Sequence, residues 1–350
     1  MDYQLLQDDR DEKPASLLWV DFLRVAASLV IVLAHVDAWG GGPQWVDNLF
    51  YSLSRNGVPL FFMLSGFLLL SKQEDTGTFI LKRPAGILVP FLVWSVVYDA
   101  VWNQAYAETG FTFSAVASQF IRILRGPRAA HLWFFYSLIG LYAFTPILRI
   151  FAANAKKSDL WYFIGLWILC MPGLFILLEF TPLEIGLELQ YFTGYVGYFL
   201  LGLVLGRLEL TPRLRGLAWG LFLAGLAFTF AVFQFDLPPE NNELVFRSYP
   251  SLNFVVMSAG AFLLLRNAGQ KIDVRHADWL KVFSQASFGI YLIHSLLQVG
   301  FESLWRSWGL ETAIGPSILD IPLMAVFLYF ASLPVTHVLR RIPILIYTVP

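Results

Sequence analysis

Three ionisable side chains stand within one apolar run near the start of the chain. Asp21, Arg24 and His35 occur in "WVDFLRVAASLVIVLAHVD", and an ionisable residue inside a membrane-length run is costly enough to mark a functional candidate. Eleven residues separate Arg24 from His35. At 3.6 residues per turn this is about three turns, so both side chains lie on nearly one helix face, roughly 16 Å apart along the axis. Such a face suits an elongated anion, with its charged end at Arg24 and its reactive end at His35. A neutral imidazole, with a pKa of about 6.5, is matched to removing a proton from a hydroxyl. The competing structural reading pairs Arg24 with Asp21 at i,i−3 at the inner interface and lets His35 top the helix. Asp37 follows His35 by two residues, about 200° around a helix, so it can orient the imidazole only if the helix ends there.

His131 and His294 fall toward the same side as His35, and each is on a different apolar run. They form no metal site by spacing: there is no HExxH and acidic companions are sparse. Either they meet His35 or they make ordinary interhelical hydrogen bonds. Lys82 and Arg83 stand at the opposite side, where they serve as phosphate ligands or as membrane anchors. Arg122, Arg125 and Arg128 in "RILRGPR" form a basic patch suited to a lipid-linked diphosphate, an acidic glycan or simply solvent. Trp133, beside His131, is placed for stacking on a sugar or for the interfacial aromatic belt.

The elements that must position these groups are membrane helices. Of 350 residues, 57% are hydrophobic and 14% charged, against about 25% charged in a soluble domain, and the mean hydropathy is +0.62. Ten apolar windows follow one another at about 17–39, 48–71, 84–104, 131–151, 160–179, 189–206, 217–235, 249–267, 279–300 and 314–339. Each is close to the ~20 residues a helix needs to cross a bilayer. Runs such as "PLFFMLSGFLLL" are apolar on every face, which excludes the alternating pattern of a β-barrel. Alternating the loops puts 17 of the 24 Lys and Arg on the side of the termini, which predicts cytoplasmic termini. The expected fold is therefore all-α and polytopic, with about ten transmembrane helices. Residues 1–16 form a polar cytoplasmic tail without signal-peptide order, 17–341 one membrane domain and 342–350 a C-terminal tail. A formal net charge of −1 gives no field for nucleic acid. Cys170 is the only cysteine, which excludes an intrachain disulfide and any cysteine metal cluster. Membrane lipids are the expected surroundings, and oligomeric state is not encoded in any visible pattern.

Four segments in order, "VDFLRVAASLVIVLAH", "NGVPLFFMLSGFLLL", "HLWFFYSLIGLYAFTP" and "SQASFGIYLIH", resemble the acyltransferase-3 family of membrane O-acyltransferases, from about residue 17 to the last run. The resemblance implies transfer of an acyl group, usually acetyl from acetyl-CoA, to a hydroxyl of a cell-surface glycan, an exopolysaccharide repeat or a lipid-linked precursor, in a bacterial inner membrane. The family's arginine and histidine signature falls on Arg24 and His35, and makes His35 the essential catalytic histidine. Its Ser-Gly-Phe signature falls on Ser65, Gly66 and Phe67; Ser-Gly before a bulky residue is equally a close-packing feature. The later motifs add His131, Trp133, Tyr291 and His294 as supporting or acceptor-site candidates. One departure is the inner loop "LKRPAGILVP", which has Lys82 and Arg83 but Gly86 where a second arginine is expected. In the implied mechanism the CoA phosphates lie near Arg24, Lys82 and Arg83, and the thioester reaches His35. Direct general-base transfer and an acyl-histidine relay both fit, and no metal is required. A polyprenyl-sugar-dependent glycosyltransferase, which would draw on Asp37 and Asp47, and a transporter of a lipid-linked sugar are the alternatives. Neither accounts for all four segments.

Overall fold

The computed structural model describes residues 18–36, 43–72, 74–82, 85–102, 112–182, 194–238, 243–308 and 318–349. Among the described residues there is no strand. The helices in chain order are α1 (Leu18–Leu33), α2 (Gln44–Ser54), α3 (Gly57–Leu70), α4 (Thr76–Lys82), α5 (Ala85–Trp102), α6 (Phe113–Arg125), α7 (Trp133–Asn154) and α8 (Lys157–Ile168). They continue as α9 (Leu174–Phe180), α10 (Val196–Arg207), α11 (Pro212–Gln234), α12 (Glu243–Phe246), α13 (Leu252–Gly269), α14 (Ala277–Ser307) and α15 (Asp320–Arg341). Each of the ten apolar windows carries a helix. Eight stretches among the described residues are long and apolar enough to cross a membrane, and α1 and α10 are shorter, at 16 and 12 residues. The molecule is an all-α polytopic membrane protein.

Local breaks have local causes. Pro59 has no N–H to give to the carbonyl of Arg55, and the chain tightens there to i→i−3 bonds, Arg55 N–H to Ser52 O at 3.3 Å and Asn56 N–H to Leu53 O at 3.4 Å. The Gln44–Leu70 stretch is consequently two helices, α2 and α3, with Arg55 at the joint. Pro172 acts in the same way between α8 and α9, where Leu169–Gly173 widens into a π turn.

The described chain divides into two compact units that interleave along the sequence. The first holds α1, α2, α3 as far as Leu68, α8 to α14, and α15 as far as Leu333. Its core is built by α1, α14 and α15, where Val32, Ile290, Leu328 and Tyr329 are buried together. Crossings with no room for a side chain also hold it. A Cβ on Gly66 would stand 2.2 Å from the carbonyl oxygen of Phe199, and one on Gly202 would stand 1.9 Å from that of Met63. Backbone cannot yield as a side chain can, so Gly202→Ala is expected to destabilise by about 2–3 kcal/mol, near the top of the overpacking range. Thermal unfolding in detergent checks this against Gly220→Ala, whose Cβ meets open space and which is expected to be neutral or slightly stabilising.

The second unit holds Leu69–Ala155 and Pro334–Pro350. In it, α5 is joined by the short 3₁₀ turn Leu345–Thr348, whose Thr348 carbonyl accepts from Trp94 Nε1 at 2.9 Å. Between the third and fourth apolar windows stands α6, whose N-terminus is capped by Thr112. Phe113, Val116, Phe120 and Leu124 of α6 are exposed while Ala115, Gln119 and Ile123 are buried. Exposed apolar residues at i, i+3, i+7 and i+11 make one face of the helix, the pattern of a segment bordering lipid.

Candidate active site

Arg24 on α1 and His35 just past its end both meet α14. Arg24 Nη1 donates to Ser284 Oγ at 3.0 Å, and the Ser284 hydroxyl donates to Asp21 Oδ1 at 2.5 Å. Arg24 also stands 3.7 Å from Asp21 Oδ1. At the other end of the face the rings of His35 and His294 meet at a centroid distance of 5.0 Å, edge to face. Arg24 to His35 on α1 thus matches Ser284 to His294 on α14, so the two helices run parallel over this stretch. The structural reading of Arg24 is correct as far as its pairing with Asp21, and Ser284 is the link that sequence reasoning missed. Its signal was the placement of Ser284 about three turns before His294 within "SQASFGIYLIH", comparable in length to the Arg24–His35 stretch.

His35 lies just past the end of α1. Its Nδ1 is 2.8 Å from the carbonyl oxygen of Ile31, and a carbonyl only accepts, so Nδ1 carries the hydrogen. That bond satisfies one of the carbonyls a helix leaves open at its C-terminus. It also leaves the lone pair of the neutral ring on Nε2. His35 is half-buried. His294 is fully buried and is held the same way, with Nδ1 2.7 Å from the Tyr291 carbonyl and Nε2 3.2 Å from Ser295 Oγ. Tyr291 supplies that carbonyl, and its ring lies 6.2 Å from His294. Two imidazoles are therefore locked in one tautomer by main-chain carbonyls, and His35 is the more accessible of the two. The arrangement can remove a proton from a hydroxyl brought to His35 Nε2.

Ser65 is half-buried on α3 and forms no hydrogen bond with any described residue. Gly66 is accounted for by the close approach of α10. The backbone of Lys82 ends α4, but its side chain, together with Arg83 and Asp37, lies outside the described residues.

His131 belongs to the second unit. It sits in the 3₁₀ turn Ala130–Leu132 ahead of α7, buried, with its ring 4.8 Å from Tyr98 and 6.5 Å from Trp102. Trp133 opens α7 and meets Phe134 edge to face at 6.5 Å. Next to Tyr98 is Asp99, fully buried, which pairs with Arg122 at 3.1 Å and Arg128 at 3.6 Å. Two arginines of the basic patch are therefore tied to a buried carboxylate, while Arg125 is exposed. Asp99 escaped sequence reasoning because it closes an apolar run, and its partners lie more than twenty residues on. Among the described residues no cluster of metal-binding side chains occurs.

The described helices thus carry a carbonyl-bonded histidine pair at one end of a polar face shared by α1 and α14. The family model described as an acyltransferase domain matches residues 17–341, and the chain belongs to that family, the acyltransferase-3 family. No curated protein and no solved structure matches it.

Proposed function

We propose that this membrane acyltransferase moves an acetyl group from acetyl-CoA to a hydroxyl of a cell-surface glycan, an exopolysaccharide repeat or its lipid-linked precursor. The observation that carries the reading is the half-buried His35 imidazole, whose Nδ1–H is given to the Ile31 carbonyl so that the lone pair of the neutral ring lies on Nε2. In the transfer, the acceptor oxygen forms a bond to the thioester carbonyl carbon and the carbon–sulfur bond breaks. The hydroxyl proton passes to His35 Nε2 and from there to the departing thiolate, so that O-acyl product and CoA leave and the imidazole is restored. His294 fixes the plane of the His35 ring through their edge-to-face contact. The donor's phosphates lie toward Arg24, and its pantetheine arm runs along the α1 and α14 face. The membrane is a bacterial inner membrane, with ten crossings and both termini in the cytoplasm. The parallel run of α1 and α14 supports this topology, since seven intervening crossings return the chain in the same direction.

Release of CoA thiol by the purified protein, supplied with acetyl-CoA and a set of bacterial free and lipid-linked glycans, tests the reading. Acceptor-dependent release with O-acetylated product is the expected result. Absence of acetyl-CoA binding would overturn the donor assignment.

A further inference from the structure

Arg55 differs from the other arginines that are drawn into the fold. Arg24, Arg122, Arg128, Arg149 and Arg247 each reach a carboxylate. Arg266 reaches two main-chain carbonyls, of Leu205 and Leu208. Arg55 reaches neither. Its guanidinium donates through Nη1 to the Tyr249 hydroxyl at 3.2 Å and through Nη2 to the Tyr51 hydroxyl. The remaining surroundings are ring faces: Tyr51 with its centroid 4.2 Å from Cζ, Tyr249 at 5.1 Å, Phe254 at 5.9 Å and Phe233 at 6.0 Å. Arg55 Nε is buried and has no hydrogen-bond partner among the described residues.

A guanidinium has five N–H donors, and two are used here. The Tyr51 hydroxyl, having accepted from Arg55, retains its own hydrogen to donate. The cluster offers donors and a positive charge that no carboxylate reaches among the described residues, inside a stretch long and apolar enough to cross the membrane. Ring faces attract a cation but neutralise nothing, and a half-buried guanidinium with a buried Nε is stabilised by a counter-charge. Glu243 is exposed and acts on Tyr51 only at longer range. An anionic ligand can supply that counter-charge, entering past Tyr51, itself 38% exposed.

The level of the site suggests its use. Helices α1 and α3 run antiparallel, as Trp19 meets Phe67 at 4.9 Å and Gly57 meets Ile31. His35 is four residues beyond Ile31 and Arg55 two residues before Gly57. At 1.5 Å per residue these are displacements of about 6 and 3 Å toward the same end. Arg55 is thus within about one helical turn of the depth of His35.

We infer that Arg55, with the Tyr51 and Tyr249 hydroxyls, binds a phosphate-type oxyanion carried on a lipid, which anchors the acceptor at the level of the reactive histidine. The inference rests on the acyl-acceptor reading of the preceding section. A lipid-borne phosphate fits a donor-only site walled by aromatic rings at membrane depth, because its oxygens accept three or more hydrogen bonds while its chain stays in the apolar phase.

The test is binding without any acyl donor, so its failure leaves the CoA-release assay untouched. The full-length protein is placed in nanodiscs of neutral phosphatidylcholine. A long-chain polyprenyl diphosphate, the corresponding polyprenol and phosphatidylglycerol are titrated and followed by native mass spectrometry. The wild type is expected to bind the diphosphate at least about tenfold more tightly than the polyprenol. R55Q is expected to lose about 10- to 100-fold of that affinity, the usual consequence of removing charge-assisted hydrogen bonds, and R55K to recover part of it. Y51F, which keeps the charge and the ring, is expected to lose a smaller share and guards against a folding defect in R55Q. Phosphatidylglycerol competing as strongly as the diphosphate would support the oxyanion site and overturn its assignment to the acceptor in favour of bulk lipid. Equal binding of diphosphate and polyprenol, or an unchanged preference in a folded R55Q protein, would overturn the inference.

Discussion

His35→Gln is expected to lower acceptor-dependent CoA release by about 10²- to 10⁴-fold, the contribution of a positioned general base. Glutamine is the informative replacement. Its amide can still donate to the Ile31 carbonyl that His35 Nδ1 now satisfies, so the end of α1 keeps its cap, but it cannot accept a proton at neutral pH. His35→Ala removes both functions, and comparison of the two separates the cap from the chemistry. If the histidine acts only on the proton, kcat falls and the KM for acetyl-CoA stays close to wild type. His294→Asn provides the control for positioning. Its side-chain amide can replace the donation to Tyr291 but not the ring edge presented to His35, so a loss of about tenfold, far milder than at His35, is expected. Single-turnover rates with purified variants check all three. A folded His35→Gln protein working within about threefold of wild type would remove His35 from the chemistry.

Much of this site is legible without coordinates because helix geometry is regular. The spacing of Arg24 and His35 specifies a shared face once the run is helical, and the runs of membrane length specify where the apolar helices lie. The partner of that face is a different matter. Ser284 and His294 are about 260 residues away from Arg24 and His35, and only packing reveals which of nine other runs they face. Arg55 is hard to read from sequence for a related reason. A charge near the start of an apolar run reads as a loop residue, whereas the missing N–H of Pro59 creates a joint that holds Arg55 among aromatic rings within the stretch. The amphipathic α6 reads as loop because its periodic residues are interrupted by Ser118, Arg122 and Arg125. The two compact units have no sequence signature, since each is assembled from segments that alternate along the chain.

Removing the carboxylate of Asp99 is the stability change expected to be largest. Asp99 has no exposed surface, and its two oxygens are divided between Arg122 Nη2 and Arg128 Nη1. Asp99→Ala leaves two guanidinium groups facing a void without the charge that holds them together. Breaking a buried pair from one side costs about 3–5 kcal/mol. The lower end applies here, because the Arg122 and Arg128 side chains are 37% and 21% exposed and can turn partly toward water. Asp99→Asn keeps the shape and loses the charge, so it isolates the electrostatic share. Adding Arg122→Ala to Asp99→Ala relieves one of the stranded cations, and the double variant is expected to be less destabilised than the two single effects added together. Thermal unfolding in detergent reads the total. Limited proteolysis around Gly126 and Pro127 reads whether the damage starts in the second unit, where α6 and the turn carrying His131 lose their common anchor. Additive effects of the two substitutions would mean that Asp99 is buried for packing alone and that the arginines are held by other contacts.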